Sequence, residues 1–128
     1  MKKKSYLFST NPSIEKVRKG DMNLSGLDLH GEDLSWADLS GRNLSGANLK
    51  DADLSGRDGS DLSKTNLQGA DLEGAIMYRS DLTGANLRGA NLQYADMVET
   101  ILYGADLRGA NLTGAVLLGS KKDRTTKF

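Results

Sequence analysis

Residues 104–115 read GADLRGANLTGA, two copies of a five-residue phrase with a third begun. The phrase runs through most of the chain. With the Leu of each unit taken as its centre, i, a Leu or Met recurs every fifth residue from Leu24 to Leu54 and again from Leu62 to Leu117, giving nineteen centres. Position i−2 holds Ala, Ser or Thr in fifteen units, i−1 holds Asp or Asn in sixteen, and i+2 holds Gly in thirteen. Self-similarity at a short fixed period, sustained this long, marks a solenoid.

Each position has a physical reason. If i−1, i and i+1 are extended, alternation turns the centre inward and its neighbours outward. Gly at i+2 supplies the positive φ that the third residue of a type II turn requires, and Asp or Asn at i−1 can accept from nearby backbone. The small residue at i−2 implies an inward site with no spare room. A unit is then one short strand and one corner, and stacked turns pair their backbones at about 4.8 Å. Leu44, Leu49, Leu67, Leu72, Leu87, Leu92, Leu107 and Leu112 are expected to form the inner ladder.

The phrases GADLEGA (69–75), GANLRGANL (84–92) and GADLRGANLTGA resemble the tandem A(D/N)LXX units of the pentapeptide repeat family, and the resemblance covers residues 22–119. It implies an all-β solenoid, a right-handed quadrilateral β-helix of about five coils. Some family members resemble duplex DNA in shape and charge and bind DNA gyrase, giving inhibition or quinolone protection, as dimers joined at their C-terminal ends.

The chain divides into a basic segment (1–21), the repeats (22–119) and a basic tail (120–128). Net charge is zero, yet residues 1–20 carry six Lys/Arg and one Glu, residues 121–128 four Lys/Arg and one Asp, and the intervening rod seven Lys/Arg against fifteen Asp/Glu. An acidic rod could present a phosphate-like field to a basic groove, but nine of its acids occupy i−1, where turn chemistry already asks for them. There is no cysteine and no apolar run long enough for a membrane span, and Tyr6-Leu7-Phe8 is too short for the core of a signal peptide. A cytoplasmic protein is expected.

A solenoid needs its ends covered. Asn11-Pro12 reads as a helix start and Gly20 as a stop, which predicts a capping helix over Pro12–Lys19 with Ile14 and Val17 on one side. At the other end no lid is legible, so residues 121–128 read as dispensable and Leu112 and Leu117 as open to water. The eight-residue step from Leu54 to Leu62 reads as three residues inserted, because that register aligns Asn23, Asn43, Asn66 and Asn86 in one outward column and Asp38, Asp61 and Asp81 in another. The insertion predicts a corner loop that includes Arg57 and Asp58.

In the same register Ile76, Tyr78, Val98, Val116 and Leu118 share one outward face of the last three coils, with Ile101 and Tyr103 on the adjacent one. Contiguous exposed apolar area marks a contact surface. Trp36 stands at a corner of that face near the opposite end and reads as a simple substitution. Glu32 and Arg42 break the small-residue rule with charge, leaving two readings: a buried pair across the core, or side chains reaching solvent past the lid. The one histidine, His30, has no nucleophile or second histidine beside it by motif, and the Asp and Asn columns lie on a convex wall. The sequence therefore predicts no enzyme, no cofactor, no metal, and no direct contact with nucleic acid or membrane. It points to a rigid protein-interaction module that self-associates as a homodimer through its C-terminal coils; the alternative is a DNA-mimicking modulator of gyrase.

Overall fold

In the computed structural model, which describes residues 8–55 and 60–128, the Asp or Asn at i−1 is what starts each corner. All sixteen accept the backbone N–H of residue i+1 on Oδ1, at 2.9–3.2 Å. The turn then closes from the N–H of i+3 to the carbonyl of i, as from Ala47 to Leu44 at 3.1 Å. Among the described residues every i+2 takes a positive φ, even where it is Trp36, Asp51, Lys64, Arg79, Tyr94 or Glu99, at 56–67°. Side chains at these six sites accept a conformation that ordinarily favours glycine.

The unit centred on Leu87 shows how every amide is used. Ala85 N–H closes the previous turn on Leu82 O (3.0 Å), Asn86 N–H reaches back one coil to Thr65 O (2.9 Å), and Leu87 and Gly89 N–H reach forward to Asp106 O (2.7 Å) and Arg108 O (3.1 Å). The fifth, on Arg88, goes to Asn86 Oδ1 at 3.1 Å. A buried coil with no orphan donor is what makes so tight a winding tolerable.

Repetition builds four columns of parallel bridges, each a wall: wall 1 through 23, 43, 66, 86, 106 and 127, wall 2 through 28, 48, 71, 91 and 111, wall 3 through 33, 53, 76, 96 and 116, and wall 4 through 38, 61, 81, 101 and 121. Twenty residues complete a coil, and 23 do so across the step from Asp38 to Asp61, so the extra length is an insertion of three. The expected three-residue strands shrink to single-residue bridges, and no longer strand forms among the described residues. The corner loop expected around Arg57 and Asp58 lies outside the described residues.

Every centre from Leu24 to Leu102 is fully buried, and the i−2 sites behind them, from Ala47 to Ala105, are buried too. Where i−2 is a hydroxyl residue it donates to a carbonyl inside the rod, Ser60 to Leu34 (3.0 Å), Ser80 to Leu54 (2.7 Å) and Thr100 to Met77 (3.1 Å). Leu107 is still covered, but Leu112, read both as part of the inner ladder and, with Leu117, as open to water, is half-buried like Leu117, with no described residue lying over walls 2 and 3.

The lid is α1 (Ile14–Arg18), shorter than the span expected because Pro12 and Ser13 form a preceding turn. Asn11 Oδ1 accepts Ser13 N–H at 2.9 Å, and Asn11 Nδ2 donates to Asp28 O of the first coil at 3.0 Å. Gly20 and Asp21 N–H close on Val17 and Lys16 carbonyls at 3.1 and 3.0 Å, a Schellman ending with Gly20 at φ +76°. Ile14 and Val17 are buried on the first leucines. Arg42 does not pair with Glu32 among the described residues; its Nη1 donates to Val17 O at 3.2 Å and ties the lid to the rod. Both side chains are half-buried: Glu32 belongs to the first coil, with no coil beneath it, and Arg42 lies over Met22, itself 60% exposed at the start of that coil.

The tail corrects the sequence reading. Residues 121–128 continue the coil: Lys121 bridges to Ile101 and Lys127 to Asp106. Asp123 repeats the corner chemistry by accepting Thr125 N–H at 2.9 Å, and Thr126 Oγ1 donates to Leu102 O at 2.8 Å. The Asp123 carboxyl is held below its usual value of 3.8 by the Thr125 hydroxyl first, and by backbone N–H groups including that of Gly104. A depressed folded-state pKa means that the carboxylate's contribution is complete above 3.8 and fades as pH falls through the lowered value. Asp123→Ala is therefore expected to speed hydrogen exchange several-fold at Leu102 and Leu107, whose amides donate to Lys121 and Lys127 carbonyls, with wild type loosening likewise only in strong acid. Unchanged exchange at both amides would show that Asp123 does not hold the tail.

Candidate interaction surface

Three units lack the Asp or Asn at i−1: Ile76 and Val116 stand there on wall 3, and Ile101 on wall 4. Each substitution gives up the Oδ1 acceptor for the i+1 amide and places an apolar side chain outward instead. All three fall in the last three coils, and the residues following their centres are Tyr78, Leu118 and Tyr103. Six of the seven residues of the sequence-predicted patch thus belong to units where corner chemistry is abandoned; the seventh, Val98, donates its N–H to Asp96 Oδ1 at 3.0 Å.

Leu118 is 75% exposed, Val116 48%, and Ile76 and Tyr103 each 41%, while Tyr78, Val98 and Ile101 are half-buried. The wall 3 and wall 4 members are divided by a charged corner. Arg79 Nε lies 3.1 Å from Glu99 of the next coil, and the Arg79 guanidinium stands 5.9 Å from the centroid of the Tyr78 ring. Exposed pairs of this kind contribute little stability, so the Arg79–Glu99 bridge shapes the surface more than it holds the fold. Beside it Arg79, Glu99, Ile101, Gly119 and Lys121 line a shallow groove of about 420 Å³.

Tyr94, 63% exposed at the other corner of wall 3, extends the patch and was not singled out from sequence. Its ring lies so close to Gly114 that a Cβ there would stand 2.5 Å from Tyr94 Cδ1. The pairing of a large corner residue with a glycine twenty positions on was the available signal. Trp36 is half-buried at φ 67°, a corner substitution as expected, far along the rod from the patch.

The remaining walls are polar. Asn48 and Asn91 donate through Nδ2 to Asp28 and Asp71 one coil below, both at 3.1 Å, and Asn86 to Asn66 at 3.3 Å. Asp106 is held well below the usual carboxylate range by a two-pronged contact from Arg108, at 2.9 and 2.7 Å. His30 is exposed on wall 2. Among the described residues no group of three or more His, Asp or Glu could hold a metal ion, and no helix is long and apolar enough to cross a membrane.

A profile of pentapeptide repeats matches the chain in eight copies, over residues 21–56, 58–77 and 80–119. The chain belongs to the pentapeptide repeat family. Pentapeptide repeat proteins are generally non-catalytic structural or interaction modules, and they fold as quadrilateral β-helices. Among solved members of the family, the chain is similar to a pentapeptide repeat protein, Rfr23, from the cyanobacterium Cyanothece 51142, with 25% identity and a TM-score of 0.58 over 94% of this chain and 99% of that one. It also matches HetL, a pentapeptide repeat protein involved in heterocyst differentiation regulation from Nostoc sp. strain PCC 7120, at 29% identity, TM-score 0.42, 77% of this chain and 59% of that one. A third match is QnrB1, a plasmid-mediated fluoroquinolone resistance protein, at 19% identity, TM-score 0.36, 77% of this chain and 71% of that one. A search of curated proteins finds no match.

Proposed function

We propose that this pentapeptide repeat protein is a rigid, non-catalytic protein-interaction module of the cytoplasm, a right-handed rod whose contact surface is the apolar patch on walls 3 and 4 of the C-terminal coils. One observation carries the reading: the three units that discard the corner acid, centred on Met77, Leu102 and Leu117, all discard it for an outward Ile or Val at that end. Giving up a local hydrogen bond to expose an aliphatic side chain costs stability in a lone rod. A partner that covers the patch reverses the sign. Each large apolar side chain removed from water contributes roughly 1.5–3 kcal/mol, enough in sum for a few of them to offset the entropy of association.

The partner proposed first is a second copy, joined side to side through Ile76, Val116, Leu118 and Tyr103 in an isologous contact. Sedimentation tests it. Wild type is expected to dimerise at micromolar concentration and Leu118→Glu to stay monomeric while melting like wild type. A wild type that is monomeric at high concentration removes the homodimer, and capture experiments with Leu118→Glu as control then decide whether another protein uses the patch.

A second reading, modulation of DNA gyrase by DNA mimicry, draws on the Asp38, Asp61 and Asp81 ladder of wall 4, with one carboxylate per coil. Against it stand the corner bonds that already occupy these side chains and the basic residues at the C-terminal end. Supercoiling by purified gyrase, unaffected by excess protein, would eliminate it.

A further inference from the structure

The end of the rod opposite the lid is half closed. On walls 4 and 1 the tail lies across the preceding coil, with Leu102 and Leu107 N–H donating to Lys121 and Lys127 O at 2.8 and 2.7 Å. On walls 2 and 3 no described residue takes that place. One coil earlier, Leu92, Tyr94, Met97 and Glu99 donate to Asn111, Thr113, Val116 and Leu118 carbonyls at 2.8–2.9 Å. Their successors Leu112, Gly114, Leu117 and Gly119 have no backbone acceptor among the described residues. The carbonyls of Ala110 and Ala115 likewise lack the donor that Ala90 and Ala95 receive from Asn111 and Val116. Below this edge Leu112 and Leu117 are half-buried, where the equivalent Leu92 and Met97 are sealed.

We propose that this edge, walls 2 and 3 of the last coil, docks an extended acidic segment of a partner protein, which adds a half coil in the register that the tail adopts on the other two walls. The four amides call for carbonyls at matching spacing, and the leucines call for an apolar side chain every fifth residue, so the chain's own backbone pattern defines the ligand. An exposed edge of this kind is a template for strand addition. Charge selects an acidic occupant: Lys121, Lys122, Arg124 and Lys127 flank the gap against Asp123 and Glu99, whose side chain lies beside Gly119 but is paired with Arg79, and Lys122 Nζ rests 5.8 Å from the Phe128 ring. A second copy meeting end to end would oppose these cations with its own. The sideways contact proposed above uses outward side chains and leaves the edge free.

The probe is a fluorescent peptide of two Ala-Asp-Leu-Glu-Gly units, titrated into the full chain, with amide exchange followed residue by residue. Saturable binding with new protection at Leu112, Gly114, Leu117 and Gly119 is the expected result. Affinity should fall by roughly tenfold or more when the peptide acids become Lys, or when Lys122 and Lys127 of the protein become Glu. The proposal is overturned by the absence of saturable binding at millimolar peptide, by protection confined to the Tyr78 and Tyr103 walls, or by edge amides already protected without peptide in a concentration-dependent way, which would make a second copy the occupant. Loss of the dimer in Leu118→Glu with peptide binding intact separates this inference from the proposed homodimer.

Discussion

Leu87→Ala is expected to destabilise the rod by about 2–5 kcal/mol, near the upper end for a buried leucine. Leu87 is fully buried between Leu67 and Leu107 of the same wall. A globular core can sink into a cavity, but here the walls cannot approach. Asn86 is bridged to Asn66 below and to Asp106 above, and the inward neighbours Ala85 and Ala90 are too short to fill the space. The gap left by the missing side chain should therefore persist. Denaturant unfolding followed by circular dichroism measures the loss; a change under about 1 kcal/mol with an unaltered slope would mean that the coils collapse around the defect after all.

The second large effect is expected at the lid. Ile14→Asp removes a fully buried side chain, worth roughly 1.5–3 kcal/mol, and asks the same site to desolvate a carboxylate, so the helix should leave the rod rather than bury the charge. The five residues of α1 cannot hold a helix alone, and the anchors that remain are Asn11 to Asp28 O and Arg42 to Val17 O. The prediction is a fall in the melting midpoint together with dye binding at the uncovered leucines. An unchanged melting curve would show that α1 is not part of the folding unit.

Much of this arrangement is legible in the sequence because a solenoid repeats its reasons. The period places every centre, the alignment of Asn23 with Asn43, Asn66 and Asn86 fixes the insertion, and Gly20 announces the end of the lid. Legibility fails where the repeat loses a neighbour. Lys122 occupies a centre position and the step from Lys121 to Lys127 is six residues, so the tail shows no period, yet its backbone bonds are those of a coil. No described residue is stacked above this centre, and the lysine sits there with its ammonium beside Phe128. The sequence left Arg42 between two readings, and the structure favours the one in which its side chain runs past the exposed Met22 at the start of the first coil to meet the lid. The patch was readable from outward Ile and Val at sites that otherwise carry acids, whereas Tyr94 was signalled only by the glycine twenty residues on, Gly114, over which its ring lies.

The corner bonds have an evolutionary consequence. Each of the sixteen i−1 side chains contributes one oxygen, Oδ1, which Asp and Asn supply alike, and the chain uses nine of the former and seven of the latter. Exchange between the two leaves the corner acceptor in place while altering the net charge of a wall by one unit. The surface potential of such a rod is thus a character that mutation can adjust one step at a time, in either direction, with the architecture underneath held constant. Lineages sharing this backbone could drift between acidic and neutral surfaces, and so between classes of partner, without passing through a misfolded intermediate.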